Sequence, residues 1–592
     1  MQNGMKSSMK RVFWLLVVLF LMILGTLFKI VAYDRQEIAS NSYNSRLGYD
    51  SGEFKRGTIY DTEGNIMAES VKTSDGYKRQ YPYGKTAAHI TGYTGSGAAG
   101  IEAVENFILL GLDDEIGQRA KSILSGNELK GNDVYLTIDM DIQKLAYDLL
   151  GNNKGAAVVM NPTTGSIIAM ASTPSFDPNS VNADWEELSV NTDSPMLNRA
   201  TQGLYPPGST FKIVTALTSI RNIKNIDDYA FDCEGEVSIG HKTIHCYNGK
   251  VHGVLNIDDA MAVSCNCTFA SLGEKIGAGK LRETADSLKI NSDISFELPL
   301  SQSIVSLTRF SNSSELAETS IGQGKTLLTP LYMSMLISSV ANDGKMMQPY
   351  MVEKIIDSTG KNVMTTVPKV YSTVMTAEEA DRLTQMLEGV VNRGTGTAAK
   401  LSGYQSAGKT GTAENENKND HSWFVGFAST DNPQVAVAVI LENVSGSERA
   451  TPIGARLMKA VLDKNNNGSI NNRDYNYQTK PVTPEEMEND QINSNTDIIE
   501  DIVAPEDDYV IGSDIPDNPE GTSENDMNSN ENPDNQTPGE NGIENENNTN
   551  NNANSSSDTN EESSGTTEGN GSNAVPNEYV DGSGHELQLV NK

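Results

Sequence analysis

The sequence predicts an α+β protein: an antiparallel sheet with helices, standing on an N-terminal pedestal domain. One transmembrane helix precedes it and a disordered acidic tail follows. Three observations carry that expectation. An almost unbroken apolar run, Val12 to Phe28, follows Lys6, Lys10 and Arg11. Strand-like segments lie at both ends of the central region and bracket a stretch of mostly helical periodicity, the pattern of a layered α+β domain. From Asn465 onward the composition changes to Asn, Glu, Ser and Gly with few aromatics.

The elements follow in order. The apolar run is near the lower bound of about 17 residues for a spanning helix. The preceding positive charges keep residues 1–11 in the cytoplasm, so 12–32 is expected as an uncleaved anchor and everything beyond it outside the membrane. The run is long for the apolar core of a signal peptide, and no clear A-x-A cleavage site follows. Residues 33–130, with short strands and many glycines, are assigned to the pedestal. Residues 131–464 form the main domain. Asp133–Asp139 reads as a strand leading into a helix over Met140–Leu150. Gly155–Met160 and Ser166–Ala171 read as a hairpin around Asn161-Pro162-Thr163-Thr164-Gly165. Trp423–Ala428, Gln434–Leu441 and a closing helix Gly454–Leu462 complete the layered sheet, with residues 172–400 as the helical insertion.

The net charge of −34 belongs mostly to the tail. From Asn465 there are 28 Asp and Glu against 3 Lys and Arg, about −25, which leaves the rest near −9. Such a tail cannot bury enough apolar surface to offset its chain entropy, so 465–592 is expected to be disordered. Nothing in the chain marks it for nucleic acid.

Three short motifs carry the chemistry. Ser209-Thr210-Phe211-Lys212 follows Tyr205-Pro206-Pro207-Gly208, which cannot be helical interior. From Phe211 the pattern is a buried helix, so Ser209 falls near its N-terminus, where free N–H groups favour developing negative charge. Lys212 lies one turn on, on the same face. A serine hydroxyl needs a base, and a lysine serves only when burial or cationic neighbours lower its pKa. Ser264-Cys265-Asn266 reads as a tight loop between helical stretches, with Ser264 and Asn266 facing a cleft. Lys409-Thr410-Gly411-Thr412 lies in Ser406–Ala413, whose residues are all small except Lys409. That suits an edge strand open to an extended peptide, with Lys409 and Thr410 near its carboxylate. The N–H groups of Thr412 and Ser209 suit an oxyanion hole. Each motif alone is weak and admits a plain reading as a cap, a loop or a turn. Their order together, S-x-x-K, S-x-N and K-T-G, points to an acylating serine site.

On these motifs the chain resembles a class B penicillin-binding protein of the short type without C-terminal PASTA repeats. The likeness extends over about residues 50–460. It rests further on Arg56-Gly57-Thr58-Ile59-Tyr60-Asp61, Arg79-Gln80-Tyr81-Pro82, Gly100-Ile101-Glu102, Asn198-Arg199-Ala200, Gly322-Gln323-Gly324, Arg393–Ala398 and Trp423-Phe424-Val425-Gly426. One departure is Asp61-Thr62, where the family usually has an arginine after the aspartate. The resemblance implies a penicillin-binding/β-lactamase-like transpeptidase domain and a dimerisation-like pedestal. It implies a serine-type D,D-transpeptidase, serving cell shape or division, that cross-links peptidoglycan stem peptides ending in D-Ala-D-Ala through a Ser209 acyl-enzyme. β-Lactams would acylate the same serine. Lys212 would be the base; Ser264, Asn266 and Lys409 would handle protons and the carboxylate; Thr410, Gly411 and Thr412 would bind substrate. A multi-span glycosyltransferase is the implied partner, and the cytoplasmic membrane the location, single-pass with the catalytic domain extracellular. A β-lactamase, a β-lactam sensor and an inactive scaffold are the rival readings. Against them stand the anchor and pedestal, the short cytoplasmic segment and the intact motifs.

No cofactor or metal is expected. His241 and His245 lack zinc spacing in what reads as strand. Cys265 and Cys267 alternate, so they are expected to point apart as packing residues. Cys233 and Cys246 flank a hairpin and could meet across it, and a bridge between them would suit an extracellular location.

Overall fold

A computed structural model describes residues 2–32, 54–95, 97–112, 130–414, 419–444 and 449–467 of the 592. The expected tail lies outside the described residues from 468 on. The N-terminal helix α1 runs Gln2–Ala32, over the apolar stretch read from sequence. From Val12 to Leu24 its large side chains are mostly exposed. Among the described residues no helix is long and apolar enough to cross a membrane, and the side chains after Thr26 in the expected span 12–32 are not described.

The pedestal begins with β1 (Ile59–Tyr60), β2 (Ile66–Thr73), β3 (Gly76–Gln80) and β4 (Asp133–Leu136). Then come α2 (Met140–Leu150), capped by the Asp139 carboxylate on the Asp141 and Ile142 N–H groups, and the hairpin β5 (Gly155–Met160) and β6 (Ile167–Thr173). The insertion contains α3 (Lys212–Asn222), β7 (Phe231–Cys233), β8 (Glu236–Ile239), β9 (Lys242–His245), β10 (Gly253–Leu255), α4 (Ile257–Ala262), α5 (Asn266–Ile276) and α6 (Pro330–Ala341). Further along the chain come β11 (Val352–Ile356), β12 (Asn362–Thr365), α7 (Ala377–Arg393), β13 (Ser406–Ala413), β14 (His421–Ala428), β15 (Val435–Leu441) and α8 (Ala450–Asn467).

Among the described residues, two large sheets organise most of these elements, while β7–β10 form two-stranded pieces. The catalytic sheet is antiparallel, in the order β13-β14-β15-β5-β6. Strands from both ends of the domain therefore share it, as expected, with β15 pairing to β5 through Val439↔Ala157. Alternate side chains along a strand face opposite ways. Val435, Val437, Val439 and Leu441 pack with α2 and α8, through Ile142, Leu145, Leu457 and Met458. Ala436, Ala438 and Ile440 face the core that includes Leu331, Met335 and Leu336. Every residue of α6 is buried, as its apolar circumference requires. Helix α8 begins four residues before, and ends five after, the closing helix read from sequence.

The pedestal sheet runs β12-β11-β4-β1-β2-β3. Here the structure departs from expectation. β4 was read as the first strand of the main domain, but it pairs in parallel with β1 through Ile59↔Val134 and antiparallel with β11. Ile59, Val134 and Leu136 are all fully buried. β11 and β12 come from within the 172–400 stretch expected to be a helical insertion, so a distant segment completes the pedestal sheet.

Candidate active site

The first motif begins in a 3₁₀ turn, Gly208–Phe211, and α3 starts only at Lys212. Ser209 therefore sits inside the tight turn before the α-helix. Two contacts fix that turn. Gly208 has φ of +52°, and a Cβ there would lie 2.3 Å from the Thr412 carbonyl oxygen. Gly322 donates nothing to this contact but lends its carbonyl to the Gly208 N–H at 2.9 Å. The serine turn thus presses against β13, which carries the third motif. Trp423 on β14 donates its Nε1–H to the Pro206 carbonyl at 3.0 Å, bracing the same turn from beneath.

The three motifs converge on Lys212. Its Nζ lies 3.1 Å from Ser209 Oγ, 3.1 Å from Ser264 Oγ, 2.6 Å from the Ser264 carbonyl oxygen and 2.7 Å from Asn266 Oδ1. Phe269 of α5 presents its ring 5.6 Å from the same nitrogen. Lys409 Nζ reaches Ser264 Oγ at 3.0 Å and the Thr410 carbonyl at 3.0 Å. The Ser264 hydroxyl is therefore shared by two lysines. Ser264 has φ of +58°, a costly conformation for a serine that its surroundings must enforce. Asn266 accepts from Lys212, while its Nδ2 donates to the His245 carbonyl at 2.9 Å.

Both lysines are completely buried, while Ser209, Ser264 and Asn266 are half-buried. Burial lowers the Lys212 ammonium to about 8, and the neighbouring Cys265, Cys246 and Cys267 thiols pull it the other way. Burial holds Lys409 well below its ordinary range, and the Lys212 charge lowers it further. An amine so placed can take a proton from a hydroxyl 3.1 Å away near neutral pH.

On β13, Lys409 is paired with Val425, Thr410 with Phe424, Gly411 with Trp423 and Thr412 with Ser422. β13 is the edge of the catalytic sheet; Thr410 is half-buried, Gly411 buried and Thr412 exposed. Two contributors went unassigned at the level of sequence. Thr395 Oγ1 lies 2.7 Å from Thr410 Oγ1; the Arg393–Ala398 stretch marks its position but not its partner 15 residues on. Glu442 accepts from Tyr205 Oη at 2.6 Å and from Arg199 Nε at 2.8 Å, tying the approach to the serine turn to the end of β15. No short motif announces a contact across more than 230 residues.

The cysteines correct one expectation. Cys265 and Cys267 do not point apart: Cys246 Sγ lies 3.6 Å from Cys265 Sγ and 3.4 Å from Cys267 Sγ. Strand alternation does not apply, because Cys265 caps α5 and Cys267 lies in its first turn. Cys233 and Cys246 do meet, at 3.6 Å, but as free thiols.

Comparison with known proteins agrees with this geometry. Residues 155–459 match the penicillin binding protein transpeptidase domain, and 56–134 the penicillin binding protein A dimerisation domain. The peptidoglycan D,D-transpeptidase PbpA of Mycolicibacterium smegmatis is 30% identical over 491 residues, covering 77% of this chain and 99% of that protein. The D,D-transpeptidase domain of a peptidoglycan glycosyltransferase from Eggerthella lenta is 35% identical, with a TM-score of 0.64, covering 70% of this chain and 99% of that one. The imipenem acyl-enzyme complex of penicillin-binding protein A from M. tuberculosis is 31% identical, with a TM-score of 0.67, over 70% of this chain and 100% of the other. With its serine turn, lysine pair and edge strand set in that fold, this chain belongs to the class B penicillin-binding proteins, the serine-type peptidoglycan D,D-transpeptidases.

Proposed function

We propose that Ser209 is the nucleophile of a membrane-anchored transpeptidase and that Lys212 is its base. The observation that carries this reading is the placement of Lys212 Nζ 3.1 Å from both Ser209 Oγ and Ser264 Oγ, with an ammonium lowered to about 8. Ser209 Oγ attacks the carbonyl of the penultimate D-Ala and its proton passes to Lys212. The Oγ–C bond forms, the C–N bond to terminal D-Ala breaks, and the proton passes through Ser264 to the leaving amine. An acceptor amine from a second stem then attacks the ester. It gives up a proton along the same route, and Ser209 recovers its hydrogen. Asn266 orients Lys212, and Lys409 meets the carboxylate of the donor peptide. That peptide lies along Thr410, Gly411 and Thr412, with the oxyanion held by the N–H groups of Ser209 and Thr412. β-Lactams, offering a strained amide and a carboxylate, acylate the same oxygen.

The remaining assignments rest on sequence patterning. Lys6, Lys10, Arg11 and the apolar side chains of α1 favour an anchor over 12–32, with residues 1–11 cytoplasmic and the catalytic part outside. Residues 33–130 serve as the pedestal, 131–464 as the transpeptidase domain and 465–592 as a solvated tail. A multi-span glycosyltransferase supplies the glycan strands.

Ser209→Ala decides the central assignment. Intact-mass analysis after benzylpenicillin should show one adduct on the wild-type chain and none on the mutant, at unchanged melting temperature. An adduct persisting on another residue of the mutant would remove Ser209 from the role.

A further inference from the structure

Behind the Ser264–Asn266 loop lies a group of side chains that the transpeptidase chemistry does not use. Cys233 ends β7, Cys246 directly follows β9, His252 precedes β10, and Cys265 caps α5. Their sulfurs and a ring nitrogen all lie within 4.8 Å of one another. The adjacent distances are 3.6 Å for Cys233–Cys246, 3.5 Å for Cys233 Sγ to His252 Nδ1 and 3.6 Å for Cys246–Cys265. Four ligands around zinc with Zn–S near 2.3 Å and Zn–N near 2.0 Å give tetrahedral edges of about 3.8 Å between sulfurs and about 3.5 Å from sulfur to nitrogen. The three adjacent edges fit, and the remaining three lie within 4.8 Å. They do not fit a disulfide, whose sulfurs lie about 2.05 Å apart. Cys246 also touches three other sulfurs, so no one of them is its exclusive partner.

Two further features belong to such a site. The Thr268 N–H and hydroxyl both point at Cys265 Sγ, at 3.5 and 3.1 Å; donors of this kind orient and stabilise a metal-bound thiolate. The 231–255 segment is built from two-stranded pieces whose side chains are largely exposed, and an isolated two-stranded ribbon is marginal in water. It needs a tie to the domain, and these ligands supply one.

We propose that Cys233, Cys246, His252 and Cys265 bind one structural zinc ion, which clamps the 231–255 ribbon to the start of α5. Three thiols release their protons to solvent on binding, and a neutral imidazole completes the set. Cys267, 3.4 Å from Cys246, packs beside the site. The clamp is a positioning device for catalysis. Cys265 stands between Ser264 and Asn266, whose oxygens hold Lys212 Nζ at 2.6–3.1 Å. That second consequence rests on the role proposed for Lys212; the binding of zinc does not.

The test uses the full-length chain in detergent, purified without chelator. Metal analysis should find about one zinc per chain in the wild type and in Cys267→Ser, and none in Cys233→Ser. Cobalt(II) added to zinc-stripped protein should show thiolate-to-cobalt charge-transfer absorption. Zinc loss should lower the melting temperature. It should also slow benzylpenicillin acylation by up to about a hundredfold, the effect of misplacing a catalytic group by about 1 Å, with the same final adduct on Ser209. If Cys233→Ser does not fold, the wild type stripped by chelator and reloaded with cobalt replaces it. Wild-type protein without zinc overturns the proposal, whether its thiols titrate free or its mass is short by two or four hydrogens. Zinc retained by Cys233→Ser, or lost by Cys267→Ser, overturns the assigned ligand set. A zinc-loaded protein that loses no acylation rate on stripping overturns the positioning role alone.

Discussion

The pedestal and the active site each bury a pair of cationic side chains, and they treat them in opposite ways. In the pedestal, Arg56 and Arg79 close on one carboxylate: Arg56 Nη2 lies 2.7 Å from Glu102 Oε2, and Arg79 Nε 2.5 Å from Oε1. Burial alone would raise the Glu102 carboxyl, but the Arg79 and Arg56 guanidiniums outweigh it and hold it below the ordinary range. In the active site, Lys212 and Lys409 meet hydroxyls, carbonyls and an amide, and among the described residues neither has a carboxylate partner. Their protons are loosened. Compensated burial fixes the charge and ties distant segments together; uncompensated burial makes a reagent.

The contrast can be broken from either side. The largest effect belongs to Lys212→Ala. Acylation by benzylpenicillin should fall by about 10²–10⁴-fold, the range of a general base. The melting temperature should hold or rise, because a buried cation has gone; near-wild-type acylation would mean that Ser209 is activated by something else. Glu102→Gln should do the reverse, removing the carboxylate on which two buried guanidiniums close. A cost of about 3–5 kcal/mol is expected from denaturant unfolding, with acylation per folded molecule unchanged. A mutant that melts like wild type would show the triad to be dispensable. Lys409→Ala should cost one charge-assisted contact to the carboxylate, about 1.5–3 kcal/mol, or roughly tenfold to a hundredfold in acylation. Equal rates would place the carboxylate elsewhere.

The smallest effect is a pH profile. The reactive form of Lys212 is the free amine, and its lowered ammonium titrates at about 8. As pH rises toward that value the amine fraction grows, so acylation should climb by roughly tenfold per unit and level off above it. In Lys212→Ala the climb should vanish. A profile that falls with rising pH would require the ammonium as the working form.

Local chemistry was legible in the sequence where one residue's neighbours decide its setting. Ser209 and Lys212, three apart after a Pro-Pro-Gly turn, could be read as meeting, and they do at 3.1 Å. The small residues of 406–413 could be read as an open edge strand, which β13 is. Contacts between distant segments were not legible. The alternation of Cys265 and Cys267 suggested opposed side chains, because the strand period was applied to what is a helix start. His252 drew no notice, since its partner Cys233 lies 19 residues back and comes close only through the β7–β10 pairing. β4 was placed in the wrong sheet for a related reason: its pattern told of burial but not of which strand would bury it. Thr395 and Glu442 act through partners that only the tertiary fold supplies.

The composition of the pedestal sheet also sets a timetable. β1, β2, β3 and β4 have all been synthesised once Leu136 is made, but β11 closes on β4 only after Ile356. At about 5–20 residues per second, the intervening chain takes roughly 10–45 s to synthesise. Through that interval β4 stands as the rim of an incomplete sheet, with the backbone groups destined for Val352–Ile356 still unpaired. A second nascent chain, offering its own β4, presents the same unsatisfied rim. The growing polypeptide therefore offers a pairing rim until Val352–Ile356 arrives, and crowded synthesis of this protein should favour association edge to edge through β4.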